Sequence, residues 1–306
     1  MSSAVLLSRH PDLYSTRRLR AALEERWVPV RILHPERCVA VLQEGKAILY
    51  YEEELLTPPT WVIPRIGAPL TALGARLLLH FQQMGSLCLN PGKALALARD
   101  KFLSLQILAA AGLPVPDTWY LADGSGLRGA LEQLGVPLVS KLLAGSQGIG
   151  VNLIESPSAA RGLADTLLHL QHELILQRYL PGRTDLRLLV LYGQVIAAME
   201  RRAGSNEFRS NLHCGGSARA LDPGQLNPRL REWAIAACVA LDLDFAGVDL
   251  MADGKGGYVI LEVNPVPSLE GIEGVTGLDL AGQIVAALMK QASSAVPQQS
   301  SRAPVS

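Results

Sequence analysis

The chain has 306 residues, 49% of them hydrophobic, and a mean hydropathy of +0.21. This apolar content is enough for a sizeable core and excludes disorder over most of the length. Its 28 basic side chains balance 28 acidic ones, so no net charge attracts nucleic acid or an anionic membrane, and neither is expected as a partner. The longest uncharged run, 102–116, is shorter than the roughly 20 residues of a bilayer span and is interrupted by Gly112 and Pro114.

No secretion signal is expected, because the apolar stretch 4–7 is too short for a signal-peptide core before Arg9 and His10. We therefore expect a cytoplasmic protein. The cysteines are scattered, without the short spacings of zinc or redox sites, and are expected to be reduced thiols. They are Cys38, Cys88, Cys214 and Cys238.

Strand-like and helix-like patterns alternate over the N-terminal third of the chain, which predicts a small open parallel α/β unit. Ser15 is the expected cap of its first helix, and Pro91-Gly92 marks its expected end. The predicted elements are a strand at 5–7, a helix at 16–26, strands at 28–33, 47–51 and 61–63, and a helix at 73–84.

The remainder mixes helices with antiparallel patterns. A helix at 99–111 ends at Gly112 and the following prolines. Turn signals predict two hairpins, 186–200 about Gly193-Gln194, and 245–263. The segment 291–306, rich in Ser, Gln and Pro, is predicted to be a disordered tail. The other predicted elements are strands at 138–143, 151–154 and 174–177 and helices at 158–170, 228–241 and 279–290.

The last predicted hairpin carries two carboxylates. Its turn, 253–257, is centred so that Asp249 and Glu262 face each other, with Asn264 on the same face. Like charges in that register are destabilising, so a positive group is expected between them. Two carboxylates and an amide oxygen are hard ligands suited to Mg²⁺. A solvated acidic sheet face is the alternative, because the register depends on turn symmetry alone.

A glycine-rich segment, 145–150, lies between two predicted strands. It lacks the Gly-Lys-Ser/Thr ending of a Walker A loop and no helix follows it, so neither a P-loop nor a Rossmann interpretation fits. Its glycines would let backbone N–H groups approach phosphates and let the hairpin close as a lid, although a plain flexible turn is the alternative. Lys141, in the preceding strand, needs an anion such as phosphate if it points inward, or faces water at a sheet edge.

The polar loop 200–213 combines guanidinium and amide groups, which suit bidentate contact with carboxylate or phosphate; a solvated charged loop is the alternative. Asp185 and Arg187 lie on one face at the start of the first hairpin. They either bind a sugar hydroxyl and a phosphate or pair with each other. No local Ser, Cys and His arrangement points to a covalent nucleophile.

Taken in order, these segments resemble the ATP-grasp superfamily and, within it, the RimK family of glutamate ligases. The resemblance covers nearly everything from residue 4 to residue 290 and implies an ATP-grasp fold preceded by a small Rossmann-like parallel α/β domain. It implies an N-terminal domain at 1–97, a lid subdomain at 98–180, a metal-binding subdomain at 181–290 and a tail at 291–306. The matching segments are LSRHPDLYSTRRLR, VIPRIG, RDKFLSLQILAAAGLPVP, PLVSKLLAGSQGIGV, LQRYLPGRTDLRLLV, ERRAGSNEFRSNLH, AGVDLM and ILEVNPVPSLEGIEGVTGLDLAG.

The resemblance also implies residue roles. Arg209 and Lys141 would be catalytic. Mg²⁺ or Mn²⁺, as two ions, would be bound by Asp249, Glu262 and Asn264. The family's hinge acid is replaced by Arg178, and Val266 and Ser268 stand where smaller residues are common, which would reshape the acceptor pocket. The residues implied in ATP binding are Lys101, Lys141, Gly145, Ser146, Gln147, Gly148, Gly150, Gln177, Arg178, Tyr179, Leu180, Asp185, Arg187, Arg209, Ser210 and Asn211.

The implied reaction activates a carboxylate with ATP as an acyl-phosphate, which the amine of an amino acid attacks to form an amide. The main hypothesis is the addition of L-glutamate to the C-terminal carboxylate of small-ribosomal-subunit protein six. A small-molecule acceptor, such as a cofactor precursor, and a regulatory nucleotide-binding module without turnover are the alternatives. The resemblance further implies a homo-oligomer, either a dimer or a tetramer.

Overall fold

The N-terminal domain is built on the parallel sheet that its sequence pattern predicts. The computed structural model of the protein describes residues 2–143, 148–205, 207–210 and 215–294. The elements are β1 (Ala4–Leu7), α1 (Tyr14–Glu24), β2 (Val30–Leu33), β3 (Cys38–Gln43), β4 (Lys46–Tyr51), β5 (Glu54–Leu55), β6 (Trp61–Pro64), α2 (Thr71–Gln83) and β7 (Leu87–Cys88). The parallel sheet has the order β2-β1-β6-β7, beside an antiparallel meander of order β3-β4-β5.

Several details of this domain differ from prediction, and the short strands β5 and β7 are among the elements not predicted. Helix α1 begins at Tyr14 without a side-chain cap, so the prediction that Ser15 caps it is wrong. The Ser15 hydroxyl instead accepts a hydrogen bond from the Leu269 amide at 3.0 Å. Strand β3 was not predicted, because four of its six residues are exposed and its apolar side chains do not alternate with polar ones.

The middle of the chain forms an antiparallel sheet of order β10-β9-β11-β8. The helix predicted at 99–111 is wrong as a single element, because Asp100 is extended and its carboxylate accepts the amides of Phe102 and Leu103, at 3.0 and 2.9 Å, to cap a new helix. The elements are α3 (Gly92–Arg99), α4 (Lys101–Ala110), β8 (Thr118–Leu121), α5 (Leu127–Leu134), β9 (Leu138–Leu142), β10 (Val151–Ile154), α6 (Pro157–His169) and β11 (Leu174–Arg178).

The C-terminal part forms an antiparallel sheet of order β14-β13-β12-β15-β16, and both predicted hairpins are confirmed. The predicted disordered tail is wrong for its first four residues, 291–294, which continue the last helix; residues 295–306 lie outside the described residues. The elements are β12 (Thr184–Leu191), β13 (Gln194–Arg202), β14 (Ser217–Leu221), α7 (Pro228–Ala240), β15 (Phe245–Ala252), β16 (Tyr258–Asn264), α8 (Glu270–Thr276) and α9 (Leu280–Ser294).

The N-terminal and C-terminal sheets share one hydrophobic core, in which Leu6 and Leu19 pack with Met199, Phe245 and Ile284. A buried polar joint adds to it. The Glu273 carboxylate accepts hydrogen bonds from Tyr14 at 2.8 Å and Arg18 at 3.1 Å, and from the amides of Leu280 and Ala281 at 2.9 and 3.1 Å. Helix α1 therefore packs against α8 and α9, and the N-terminal and C-terminal domains are in direct contact.

Within the described ranges, no single helix is long and apolar enough to cross a membrane. The bent pair Glu270–Thr276 and Leu280–Ala292, at 109° to each other, meets the length and composition only when its two helices are taken together.

Candidate active site

The acidic hairpin has the predicted register. Asp249 on β15 lies opposite Glu262 on β16, and Asn264, two residues further, lies opposite Gly247. Nearer the turn the register shifts, so that Leu250 faces Ile260 and Leu261 is the extra residue of a bulge. The two carboxylates are thus brought side by side. Asp249 is buried, which excludes the solvated-face alternative for that residue.

A pair of arginines supplies the positive charge that two adjacent carboxylates require. Arg187, opposite Asp249 on β12, donates to both of its carboxylate oxygens at 2.7 Å. Arg201, with only 4% of its side chain exposed, donates at 2.9 Å to Asp249 and at 2.7 Å to both oxygens of Asp185. Burial disfavours the charge of Asp249, but the two guanidinium groups outweigh it and hold the pKa of Asp249 below its usual value.

The alternative in which Asp185 and Arg187 pair with each other is wrong, because both lie on β12 and each pairs across a strand instead. Besides Arg201, the Ser210 hydroxyl donates to Asp185. The contact of Asp185 with a ribose stays a prediction. The Asp185–Arg201–Asp249–Arg187 network, which we call the carboxylate–arginine network, runs across three strands on the floor of the site.

Lys141 points inward, as predicted for a phosphate ligand. Its strand β9 lies between β10 and β11, so the water-facing edge alternative is wrong. Its ammonium group donates to Gln177 at 2.6 Å, and Gln177 donates in turn to Thr118 at 2.9 Å. Burial lowers the pKa of Lys141 to about 8 against the opposing charge of Glu262. Burial also lowers the pKa of Lys101, at the start of α4. For both lysines, the effect of burial on the pKa outweighs that of the neighbouring carboxylates.

The glycine-rich loop meets the polar loop through Arg209. Its guanidinium donates to the Gly148 carbonyl at 2.8 Å and pairs with Glu207 at 2.6 Å. Gly148 and Gly150 have φ values of +79° and +76°, which favour glycine. Arg209 therefore connects the β9–β10 turn of the lid to the segment after β13. Gly145, Ser146, Gln147 and Asn211 lie outside the described residues.

Arg178 is the last residue of β11, directly after Gln177, and it stands where the resemblance implies an acidic hinge residue. Its side chain pairs with Asp117 at 2.7 Å and donates to the carbonyls of Gln133 and Leu134, at 3.2 and 3.4 Å, at the end of α5. The guanidinium thus satisfies carbonyl groups that the helix leaves open. Tyr179 and Leu180 follow directly, and their backbone contact with adenine stays a prediction.

Replacing Arg178 with alanine is expected to have a small effect. The ion pair is largely exposed, so its loss should lower the free energy of unfolding by about 1 kcal/mol or less. If adenine is recognised by backbone groups, the affinity for ATP should change by less than about threefold. Urea unfolding and ATP titration measure both quantities. A tenfold loss of ATP affinity would contradict this account of the hinge.

The pKa of Lys141 predicts how nucleotide binding depends on pH. Because phosphate binds the charged ammonium, and because that group loses its proton near pH 8 in the free protein, the affinity for MgATP should fall as the pH rises from 7 to 9.5. The Lys141→Gln variant should bind more weakly with a flatter profile. Titrations without acceptor measure this, with Arg128→Gln, a 90% exposed side chain, as control. Parallel profiles for wild type and Lys141→Gln would contradict the role of Lys141.

The residues present fit a hard divalent cation. Asp249 and Glu262 supply carboxylate oxygens, and the Asn264 side-chain oxygen accepts one hydrogen bond, from the Val266 amide at 3.0 Å, which leaves a lone pair. In the part of the chain that the structure describes, no three His, Cys, Asp or Glu side chains form a metal cluster. The donor set is thus two acids and an amide.

Residues beyond those predicted also belong to the site. Arg201 was assigned to the loop 200–213, although Glu200, Arg201 and Arg202 extend β13. Its spacing of two from the buried Met199 was the available signal. A small pocket beside Glu262 and Asn264 is lined by Arg99, Lys101 and Ser104 as well. Val266, which was expected to reshape the acceptor pocket, is instead buried in the N-terminal core, while Ser268 is exposed.

Two antiparallel sheets, one with a glycine-containing β9–β10 turn and the other with an acidic hairpin, are the features of the ATP-grasp class of fold. The RimK-like ATP-grasp domain matches residues 98–288, and the RimK PreATP-grasp domain matches residues 3–95. The chain belongs to the RimK family of ATP-grasp ligases, which form ADP.

Similar proteins match this chain over nearly its full length. The chain is 41% identical to the "Probable alpha-L-glutamate ligase" of Thioalkalivibrio sulfidiphilus (strain HL-EbGR7), over 94% of this chain and 95% of that protein. The corresponding protein of Pseudoalteromonas translucida (strain TAC 125) is also 41% identical, over 94% and 96%. The ATP-grasp ligase PsnB complexed with minimal precursor has a similar fold, with a TM-score of 0.74, 24% identity and coverage of 95% and 99%. D-alanine–D-alanine ligase from Bacillus anthracis complexed with ATP gives a TM-score of 0.71, 16% identity and coverage of 95% and 96%.

Proposed function

We propose that this ligase uses ATP to activate a carboxylate as an acyl-phosphate and joins it to the amine of L-glutamate, releasing ADP and phosphate. The proposed acceptor is the C-terminal carboxylate of small-ribosomal-subunit protein six. The observation that carries the chemistry is that the buried Lys141 interacts electrostatically with the Asp249–Glu262 pair of the neighbouring sheet, while Arg209 contacts the β9–β10 turn. The relatives named as alpha-L-glutamate ligases support glutamate as the amino acid.

Each residue has a proposed task. Lys101 and Lys141 would bind the phosphates, and Arg209 would stabilise the negative charge that develops during transfer. Asp249, Glu262 and Asn264 would hold Mg²⁺ or Mn²⁺, as two ions, which would neutralise charge on the transferred phosphoryl group. A related fold, PsnB, is described in complex with Mg and ADP, which supports magnesium. The Arg209–Gly148 contact would help the lid close and keep water from an acyl-phosphate.

The acceptor is proposed to be a protein C-terminus rather than a small molecule. PsnB and MdnC, two ligases of similar fold, are described in complex with precursor peptides, which supports a peptide acceptor. The exposed Ser268 lies in the loop after β16, where a peptide terminus would approach the acidic hairpin. The C-terminus of small-ribosomal-subunit protein six is the proposed peptide acceptor.

Phosphate release and intact mass test this proposal together. The purified protein is incubated with MgATP and each of a panel of amino acids, with and without the ribosomal protein. We expect phosphate release only with L-glutamate and the ribosomal protein, and mass increments of one glutamate residue on that protein. Release that requires a small carboxylate, or another amino acid, would overturn the substrate assignment. The Arg128→Gln variant should behave as wild type, because its side chain is 90% exposed and distant in sequence from the proposed site residues.

A further inference from the structure

Arg65 lies where the parallel sheet opens toward the site. It follows β6 directly, and ligands of open parallel sheets bind beyond the carboxyl ends of their strands. Its guanidinium donates at 2.9 Å to the Pro267 carbonyl, in the loop that follows the acidic hairpin. Arg65 therefore connects the N-terminal domain to the expected acceptor side of the site. A guanidinium has five N–H donors, and this is the side-chain hydrogen bond that Arg65 makes among the described residues.

Arg99 is the second cation at this junction. It ends α3, and its guanidinium donates to the Ile66 carbonyl at 2.9 Å, next to Arg65 in the chain. Its Nε is buried, and no hydrogen-bond acceptor meets it among the described residues. A buried N–H donor of a charged group that has no acceptor lowers the stability of the fold unless a ligand accepts its hydrogen bond. Arg99 also lines the small pocket that contains Glu262 and Asn264.

The charges around this pocket are unbalanced. Burial and the neighbouring charge of Arg99 lower the pKa of Arg65 to about 10. Glu262 is the anion that opposes the effect of burial on Arg99, and it does the same for Lys101 and Lys141. Asp249 adds to the effect of Glu262 on Lys141, but it also pairs with Arg187 and Arg201. Among the described residues, Glu262 is the one carboxylate that offsets burial for the Arg65 and Arg99 pair, so this end of the site attracts a further anion.

We propose that Arg65 and Arg99 form a subsite for a substrate carboxylate that is not phosphorylated. A guanidinium matches the planar carboxylate with two parallel hydrogen bonds, and Lys101 and Lys141 are the proposed ligands of the phosphates. The inference rests on the proposed function, in which L-glutamate keeps both of its carboxylates through the reaction. The bound group belongs either to this amino acid or to a second carboxylate of the acceptor.

Equilibrium binding tests the subsite without relying on turnover. Calorimetric titrations use protein saturated with MgAMP-PNP, with L-glutamate as one ligand and an N-acetylated peptide ending in two glutamates as the other. We expect Arg65→Gln and Arg99→Gln each to weaken one of these ligands about tenfold to a hundredfold. Affinity for AMP-PNP should stay within about threefold of wild type, and Arg65→Lys should restore part of the loss. Arg128→Gln is the control for the replacement of an arginine by glutamine.

Amide analogues identify which carboxylate is bound. Glutamine lacks the side-chain carboxylate and isoglutamine lacks the α-carboxylate; the analogue without the bound group should bind weakly to wild type and lose little more in the variants. A loss for L-glutamate alone assigns the subsite to the amino acid, and a loss for the peptide alone assigns it to the acceptor. The inference would be overturned if the variants bound L-glutamate and the peptide as tightly as wild type does, or if wild type bound neither ligand. An equal loss of affinity for AMP-PNP in the variants would also overturn it.

The proposed function fails separately. If wild type binds L-glutamate through Arg65 and Arg99 but transfers none to a protein, the subsite stands and the ligation assignment falls. If glutamate is transferred and the KM values of both substrates are unchanged in the two variants, the function stands and the subsite falls.

Discussion

Replacing Arg201 with glutamine is expected to lower the free energy of unfolding by about 3–5 kcal/mol, because removing one partner of a buried ion pair leaves an uncompensated charge. The guanidinium of Arg201 is the link between Asp185 and Asp249 and is almost fully buried. Asp249 would keep Arg187, but among the described residues Asp185 would keep only the hydrogen bond from the Ser210 hydroxyl. Urea unfolding monitored by circular dichroism measures the change.

The chain offers a matched control for this substitution. Arg219 on β14 pairs with Glu200 on β13 in the same sheet, but 67% of the Arg219 side chain is exposed. Arg219→Gln should therefore cost far less stability than Arg201→Gln. Adding Asp185→Asn to Arg201→Gln should restore part of the loss, since the stranded charge is removed. Equal effects of Arg201→Gln and Arg219→Gln would contradict the buried network.

Replacing Glu262 with glutamine is expected to reduce the rate of ATP-dependent ligation at least about a hundredfold, while the protein stays folded. Glu262 is one of two carboxylates in the proposed cation site and the common anion of Arg99, Lys101 and Lys141. It lies outside the carboxylate–arginine network, so its loss separates catalysis from stability more cleanly than Asp249→Asn would. Single-turnover ADP formation and Mg²⁺ titration in the presence of ATP measure the two effects.

Glu270→Gln is the control for Glu262→Gln. Glu270 is exposed in the first turn of α8, on the segment that follows the acidic hairpin. Its replacement with glutamine removes one negative charge, as Glu262→Gln does. Its turnover and Mg²⁺ affinity should equal those of wild type. If Glu262→Gln also retained turnover within about threefold, the assignment of this hairpin as the cation site would be wrong.

The predicted pairing of Asp249 with Glu262 is observed, but symmetry about the turn 253–257 alone would place Leu261 opposite Asp249. The residues nearer the turn follow that symmetry, and the bulge at Leu261 displaces the residues beyond it by one, which brings Glu262 opposite Asp249. The bulge itself was not predicted, since an extra residue in one strand leaves no local pattern in the sequence.

The contacts that sequence analysis missed are those of cations whose partners are distant in the chain. Three polar residues at 200–202 suggested a loop, although Arg201 continues the alternation that buries Met199. Arg187 was expected either to bind a ligand or to pair with Asp185, but its partner Asp249 is 62 residues away. Likewise, nothing local indicates that Arg65 reaches the Pro267 carbonyl. Such contacts depend on how sheets pack, which residue patterns within one segment do not encode.

A crystal structure of the protein with a non-hydrolysable ATP analogue and Mg²⁺ tests the central claim most directly. The account predicts phosphate oxygens within hydrogen-bond distance of Lys101, Lys141 and Arg209, and a cation coordinated by Asp249, Glu262 and Asn264. Nucleotide bound away from these lysines, or a cation held by other side chains, would contradict it.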